Sequence, residues 1–155
     1  TPAVSGNKTK DCFTNKSRYY YRDPDLDAWL PKNQPEQPES KFSVQRLTQN
    51  ATFKQAVESF LGMTGDIKTL AEELKRRGCV TTLTVIGSLI ERQEAGEDID
   101  LNTNGYANFF FVEDNGGGVS VVYADRRDDG RWIVFVRRLS YGLVWRAARR
   151  FFFRN

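Results

Sequence analysis

The hydrophobic period changes along this chain of 155 residues, and that change constrains the fold more than any other feature. Up to about Gly96, apolar residues recur at helical spacing, whereas beyond it they alternate as in strands. Helices followed by a strand-rich end predict an α+β fold, and the short connections between the strands favour an antiparallel sheet. The length suits one hydrophobic core, so we expect a single domain over residues 1–155.

Three helices are predicted, each with a start and a stop signal. The first follows Thr52, which forms a capping-box pattern with Gln55. The second follows Asp66, and the third starts near Thr81 or Thr82. Each segment ends at or near a glycine: Gly62, Gly78 and Gly96.

The remaining segments are predicted from composition and alternation. Residues 1–16 are polar and are expected to form a loose arm, whereas Tyr19–Tyr21 is a short strand candidate. Residues 31–40 contain three prolines and are expected to form an extended loop. The strand-rich region covers about residues 108–155, with strands expected at 109–112, 119–125, 131–139 and 149–153.

The composition argues against several functional classes. The net charge of +3 does not call for a nucleic-acid partner, and no apolar run is long enough to span a membrane. Histidine is absent, which removes the commonest general base and metal ligand. We therefore expect a protein that is not an enzyme.

The two cysteines, Cys12 and Cys79, are expected to be free thiols. The alternative is one disulfide that ties the N-terminal arm to the helical region, which would require an oxidising compartment. The chain begins at Thr1 and not at Met, so the sequence leaves open whether an upstream targeting segment has been removed.

The segment from Arg131 to Arg138 has an unusual pair of faces, because successive side chains on a strand point in opposite directions. One face carries core-type residues: Trp132, Val134 and Val136. The other mixes apolar groups with guanidinium groups: Arg131, Ile133, Phe135 and Arg137. If buried, these arginines would need partners, and if exposed, the apolar groups would form a patch typical of binding sites. The alternative is that the apolar residues are core and the arginines form a solvated rim.

The same C-terminal region carries a family resemblance. Its parts are Asp129-Gly130-Arg131-Trp132-Ile133-Val134-Phe135-Val136-Arg137-Arg138-Leu139-Ser140, then Val144-Trp145, then Arg149-Arg150-Phe151-Phe152-Phe153-Arg154-Asn155. These segments resemble the C-terminal variable region of variable proteins from diversity-generating retroelements, in particular the archaeal and candidate-phylum branch. In that family a reverse transcriptase copies a template with errors at adenines and writes the copy into the 3′ end of the gene.

The resemblance implies a C-type-lectin-like fold whose variable residues form a ligand-binding surface. The implied ligand-binding residues are Arg131, Ile133, Phe135, Arg137, Tyr141, Leu143, Arg146, Arg149 and Phe153, extended by Val121, Tyr123, Arg126 and Arg127. The scaffold residues are Trp132, Val134, Val136 and Trp145. The implied partner is another protein or a cell-surface molecule, bound by a monomer that is cell-surface, secreted or virion-associated.

The residue types agree with adenine-directed variation. Mutation of both adenines in an Asn codon that ends in a pyrimidine cannot produce Lys, Glu, Gln, Met or Trp. The ligand-binding positions from Arg131 to Phe153 all carry permitted types, whereas Trp132 and Trp145 do not. Most residue types are permitted, so this agreement supports the resemblance without establishing it.

Two other kinds of site fit parts of the sequence. Arginines that alternate with aromatic residues could track phosphates and stack on bases, so a small nucleic-acid-binding module is the main alternative. Asp100, Asn102 and Asn104 have the spacing of the first half of a calcium loop, but Phe111 occupies the place of the later acidic ligand. An ordinary turn is the simpler interpretation, and no cofactor is expected.

Three aspartates lie near the turn at 126–130. Asp125, Asp128 and Asp129 are interpreted as turn residues that form ion pairs with Arg126 or Arg127.

Overall fold

The computed structural model describes residues 3–155, of which residues 3 and 4 are described by their backbone alone. The strands are β1 (Ala3–Val4), β2 (Asn7–Lys8), β3 (Tyr19–Arg22), β4 (Asn33–Gln34), β5 (Gln37–Pro38), β6 (Phe42–Arg46), β7 (Asn108–Glu113), β8 (Val119–Arg126), β9 (Trp132–Arg138) and β10 (Arg150–Arg154). The helices are α1 (Asp25–Trp29), α2 (Phe53–Leu61), α3 (Ile67–Arg76) and α4 (Leu83–Glu94).

The three predicted helices are confirmed as α2, α3 and α4. Thr52 and Gln55 form the capping box at the start of α2, and Asp66 caps α3. Thr82, and not Thr81, caps α4, because its side chain accepts a hydrogen bond from the backbone of Val85. The short helix α1 was not predicted. None of the helices in residues 3–155 combines the length and the apolarity needed to cross a bilayer.

The central sheet has six strands in the order β3-β9-β8-β7-β10-β6, and its pairing is mixed. The α+β prediction is confirmed, but the expectation of a purely antiparallel sheet is wrong. Tight turns join β7, β8 and β9 and enforce antiparallel pairing there. The crossover through residues 139–149 instead brings β10 parallel to β7, and β3 pairs parallel to β9. Two of the six strands, β3 and β6, also precede the predicted helices in the chain.

The sheet separates two apolar layers. The first layer contains residues of α1, α4 and the N-terminal segment, and the second contains residues of α2 and α3. Strand β7 contributes to both: Phe110 and Val112 face the first layer, whereas Phe109 and Phe111 face the second. Because both faces of such a strand are buried, its sequence is a continuous run of apolar residues, as residues 109–112 are.

The N-terminal segment packs on the first layer, contrary to the expectation of a loose arm. Cys12 and Phe13 are buried in that layer, and Thr9 is buried beside it. The Arg22 guanidinium fixes this segment, since its Nε donates to the Cys12 carbonyl and an Nη donates to the Thr9 carbonyl, each at 2.8 Å. Long-range hydrogen bonds to a neighbouring strand thus order a segment whose composition alone looks polar.

The prediction of free thiols is confirmed. Cys12 and Cys79 are both unbonded, and they lie in the two apolar layers on opposite sides of the sheet. Burial raises the pKa of both thiols, so neither is an activated nucleophile.

Candidate ligand-binding surface

Strand β9 divides its side chains between core and surface, as its sequence predicts. Trp132, Val134 and Val136 are each 0% exposed and belong to the first layer. Ile133, Phe135 and Arg137 alternate with them and are partly exposed on the opposite face. The strand therefore separates scaffold residues from residues that a ligand can reach.

The partial exposure follows from where the helices of the second layer lie. Phe53 and Phe60 of α2 pack on Phe109 of β7 and Phe153 of β10, with ring centroids 5.1 and 3.6 Å apart. On the same face, the partly exposed residues of β9 and the 41%-exposed Tyr21 of β3 lie outside this buried cluster. We call the part of the sheet formed by Tyr21, Ile133, Phe135 and Arg137 the open face.

A row of aromatic rings crosses the sheet and links the open face to the core. Tyr21 lies 5.2 Å from Phe135, and Phe135 stacks on Tyr123, its direct cross-strand partner, at 5.2 Å. Tyr123 contacts Phe109 at 5.5 Å, and Phe109 contacts Phe151 at 4.5 Å. Exposure decreases along the row, from Tyr21 at 41% to Phe151 at 0%. The open face is thus the solvent-facing end of a rigid aromatic stack.

Arg137 is held against this row. One Nη donates to Asp23 Oδ2 at 3.3 Å and to the carbonyl of Val136 at 2.9 Å. Asp23 is only 5% exposed and also accepts from the backbone N–H of Val136 at 3.2 Å. The Arg137 guanidinium lies 5.4 Å from the Phe135 ring and 5.6 Å from the Tyr141 ring. A buried carboxylate and two rings therefore orient this arginine before any ligand binds.

A second arginine cluster forms the rim of the open face next to β3. The guanidinium groups of Arg127 and Arg131 lie 3.5 and 4.8 Å from the ring of Tyr20. Both arginines pair with Asp129, at 3.4 and 2.9 Å, as predicted for Arg127. The backbone N–H of Arg131 and then its side chain donate to Asp129 and lower the pKa of that carboxyl. Arg131, predicted to lie on the binding face, is thus a half-exposed rim residue.

The loop of residues 140–149 adds the most accessible side chains. Tyr141, Leu143 and Val144 are 39%, 46% and 55% exposed, and Arg146 is exposed beside them. Arg149 lies above the ring of Tyr106 at 4.8 Å, and one of its Nη groups donates to two carbonyls of its own loop. Of the residues that the resemblance implies, Tyr141, Leu143 and Arg146 are thus exposed and Arg149 is partly exposed, whereas Val144 was not among them.

Trp145 anchors this loop, as the scaffold assignment predicts. It pairs with Ala51 through two backbone hydrogen bonds of 2.8 and 3.0 Å. Its ring packs on Phe53, Phe109 and Tyr123, at 5.4, 4.8 and 5.2 Å. An aromatic anchor of this kind holds the backbone while the neighbouring side chains face outwards.

Asp125 of β8 is a surface feature that the sequence interpretation missed. It lies on the strand and not in the following turn, and it directly opposes Ile133. Burial raises its pKa to about 6, against the opposing effect of Arg149. Its Oδ1 is buried without a hydrogen-bond partner, and the same holds for Trp145 Nε1 and Arg149 Nε. Because side chains alternate along a strand, Asp125 lies on the same face of β8 as Tyr123, two residues earlier. This alternation could have identified Asp125, but its position beside the turn led to the turn interpretation.

Four predicted surface positions need correction. Phe153 is 1% exposed because α2 covers it. Val121 and Tyr123 are 0% and 6% exposed because they pack in the second layer. Arg126 points to the opposite side of the sheet, where its Nε donates to Glu94 Oε1 at 2.8 Å beside the indole N–H of Trp132. Phe153, Val121 and Tyr123 therefore belong to the buried scaffold, whereas Arg126 is partly exposed on the side of the sheet opposite the open face.

The residues of the calcium-loop pattern take part in separate contacts. Asp100 Oδ1 accepts from Arg150 at 2.8 Å, whereas the buried Asn102 donates to the Ala148 carbonyl at 3.1 Å. Asn104 Oδ1 accepts from the backbone of Tyr106 in a turn. Among residues 3–155, no group of three or more Cys, Asp or Glu side chains is arranged to hold a metal ion. Of the three residues, only Asn104 makes the local contact of a turn, whereas Asp100 and Asn102 contact the distant residues Arg150 and Ala148.

Comparison with known proteins found no matching family model, no similar curated protein and no similar solved structure.

Proposed function

We propose that this protein is a non-enzymatic, ligand-binding protein of the retroelement-diversified class, with a C-type-lectin-like fold. The observation that carries the proposal is the division along β9, where 0%-exposed Trp132, Val134 and Val136 alternate with partly exposed Ile133, Phe135 and Arg137. Diversification requires this separation, because side chains that vary must lie outside the core that keeps the fold.

The chemistry of the open face and of the 140–149 loop suits a protein ligand. Aromatic and arginine side chains are the usual anchors of protein interfaces. The open face spans the neighbouring strands β3 and β9, which lie roughly 5 Å apart, and continues onto the exposed loop. A flat surface with pre-oriented anchors such as Arg137 favours contact with a folded partner.

Binding of nucleic acid is the competing function, and the charges argue against it. Arg127 and Arg131 share Asp129, and Arg137 is paired with Asp23. Arginines that are already paired gain little from phosphates and release few counterions. We therefore expect no steep salt-dependent affinity for DNA or RNA, measured with single-stranded and duplex oligonucleotides at low and physiological salt.

The decisive test is the DNA around the gene. The proposal expects a reverse-transcriptase gene nearby and a near-copy of the 3′ coding sequence that differs from it at template adenines. The differences should fall at codons for partly or fully exposed residues such as Ile133, Phe135 and Leu143, and should spare Trp132 and Val134. A locus without such a copy, or differences scattered over other bases, overturns the proposal.

A further inference from the structure

The six-stranded sheet ends in two edge strands, β3 and β6. The pairing of β3 with β9 is interrupted between Tyr19 and Tyr21, whereas β6 pairs with β10 over its full length without a shift in register. An edge strand presents unpaired N–H and C=O groups to any further strand, and a regular edge is the better template. Strand β6 is therefore the edge to which another strand can add.

One hydrogen bond at the end of β6 identifies which of its backbone groups point outwards. The N–H of Leu47 donates to the Arg149 carbonyl at 2.8 Å, in register with the ladder between β6 and β10. Hydrogen-bonded and non-hydrogen-bonded pairs alternate in an antiparallel ladder, so the odd-numbered residues of β6 bond to β10. The N–H and C=O groups that face the free edge, and that have no other backbone partner in residues 3–155, are those of Phe42, Val44 and Arg46.

A cleft lies on each face of β6. On the side of the first apolar layer, a largely apolar cleft of about 550 Å³ is lined by the partly exposed Phe42, Val44 and Ile99. On the side of the second layer, a more polar cleft of about 450 Å³ lies between β6 and α2, with Gln45 and Ser59 in its lining. An added strand directs alternate side chains to the two faces, so it would fill both clefts in turn.

The charges beside β6 favour an acidic strand. Arg46 directly opposes Arg150, and Arg150 already pairs with Asp100 at 2.8 Å. Arg46 and Lys41 are both exposed, and neither takes part in an ion pair within residues 3–155. Like charges directly opposite each other destabilise a sheet, so an acidic residue beside Arg46 offsets an existing repulsion. A second copy of this chain would instead bring more positive charge to the same edge.

We infer that the edge of β6 binds an extended peptide of a partner protein, which adds to the sheet as a further antiparallel strand. Apolar residues of the peptide lie opposite Phe42 and Val44, and acidic residues lie opposite Lys41 and Arg46. Backbone hydrogen bonds to the edge supply affinity, and the two clefts select side chains. The exposed Asp98 also lines the apolar cleft, so the acidic residues belong at the ends of the peptide. The open face lies at the other end of the sheet, so the inference does not rest on the proposed function.

The test uses the peptide acetyl-Thr-Glu-Thr-Val-Thr-Ile-Glu-amide, whose β-branched residues favour a strand. In antiparallel register its Val lies opposite Val44, its Ile opposite Phe42 and its first Glu opposite Arg46. One variant peptide carries a methyl group on the backbone nitrogen of the Val, which points towards β6. The matched control carries the methyl group on the following Thr, whose N–H points away from β6. A lysine peptide has Lys in place of both Glu residues.

The peptides are titrated into the whole chain at pH 7.5, and the backbone amides are followed by NMR and hydrogen exchange. Half-saturation is expected on the order of 100 µM, as suits a short peptide that must be ordered on binding. The amides of Phe42, Val44 and Arg46 should become protected from exchange, because their N–H groups gain acceptors. The amides of Ser43 and Gln45, which already bond to β10, should change little.

Methylation of the peptide Val should weaken binding about tenfold or more, because it removes one hydrogen bond and places a methyl group against the edge. Methylation of the control Thr should change binding less than about twofold. Such a difference between neighbouring positions is specific to strand pairing in this register, because contact through side chains alone would not distinguish the two nitrogens.

Reversal of one charge tests the preference for an acidic peptide. Arg46→Glu should weaken binding of the acidic peptide and strengthen binding of the lysine peptide, so that the preference is inverted. The new carboxylate faces Arg150, so the variant should fold. Lys16→Glu makes the same kind of change at an exposed position outside β6 and should leave the preference as it is in the wild type.

Four results overturn the inference. One is that no amide of β6 responds to the peptide at about 1 mM, well above the expected half-saturation. The second is that the two methylated peptides bind equally, and the third is that the acidic and lysine peptides do. The fourth is that the amides of Phe42 and Val44 become protected in the chain alone as its concentration rises, which would assign the edge to a second copy. Each leaves the test of the genomic locus untouched, so failure of this inference and failure of the proposed function are distinguishable.

Discussion

The face of the sheet that points towards the second apolar layer has two halves, which consist of the same kinds of residues but differ in burial. Phe153 and Phe135 each lie on a strand that combines apolar residues with arginines, and each stacks on another ring. Phe153 is buried because α2 packs over β10, whereas Phe135 is partly exposed on β9. The comparison teaches that the covering helices, and not the strand patterns, decide which half is core and which can contact a ligand.

The largest expected difference between the halves is in stability. Phe153→Ala should lower the free energy of unfolding by about 3–5 kcal/mol, because it leaves a cavity between α2 and the sheet. Phe135→Ala should cost only about 1 kcal/mol, since its ring is already partly in water. Urea unfolding of the two variants measures both values. Equal losses would mean that the open half is as much a part of the core as the covered half.

The pH dependence of stability gives the next largest effect. In the folded protein the pKa of Asp125 is raised from 3.8 to about 6, chiefly by burial. Between these values the folded state binds more protons than the unfolded state, so stability falls as the pH rises through this window. Above pH 7 the ionised carboxylate destabilises the fold by about 3 kcal/mol relative to the protonated form.

Asp125→Asn isolates this effect. The variant should be more stable than the wild type by about 3 kcal/mol at pH 7.5 and about equally stable near pH 4. The comparison with the wild type isolates Asp125, because the chain contains no histidine and the other carboxyl groups, including Asp66, Glu73 and Asp129 with their lowered pKa values, are present in both proteins. Parallel curves for the two proteins from pH 4 to 7.5 would show that Asp125 has an ordinary pKa.

The covering helix can also be weakened directly at its cap. Thr52→Ala removes one side of the capping box of α2 and should cost about 1 kcal/mol. Thr48→Ala, at an exposed position just before the helix, is the matched control and should be nearly neutral. Thermal or urea unfolding measures the difference. A neutral Thr52→Ala would mean that packing alone holds α2 on the sheet.

The elements that the sequence predicted correctly are those with local signals. The caps at Thr52 and Asp66 and the alternation along β9 depend on residues a few positions apart, and all three are confirmed. The parallel pairing of β3 with β9 depends on contacts between residues more than a hundred positions apart, and no local pattern encodes it.

The same distinction explains the errors at the candidate site. Alternation shows that Phe153 and Phe151 share a face, but it does not show which helix packs on that face. Arg126 was assigned to the ligand-binding surface, although its partner Glu94 lies on α4. Asp125 was interpreted as a turn residue because the predicted strand ended on it, whereas β8 continues to Arg126. Sequence periodicity thus predicts which side chains share a face of a strand, whereas their burial depends on which helix packs on that face.

The smallest expected effect is at the exposed loop. Leu143 and Arg146 extend from residues 140–149 into solvent, so replacing both with Ser should change the free energy of unfolding by less than about 0.5 kcal/mol. Leu139→Ser, only four residues earlier but 1% exposed, is the matched control and should cost at least about 3 kcal/mol because it buries a hydroxyl in an apolar layer. Urea unfolding of both variants measures the contrast. A loss above about 1 kcal/mol in the Leu143/Arg146 variant would show that this loop supports the fold, and a surface of that kind could not vary freely, because each new set of side chains would change stability together with binding.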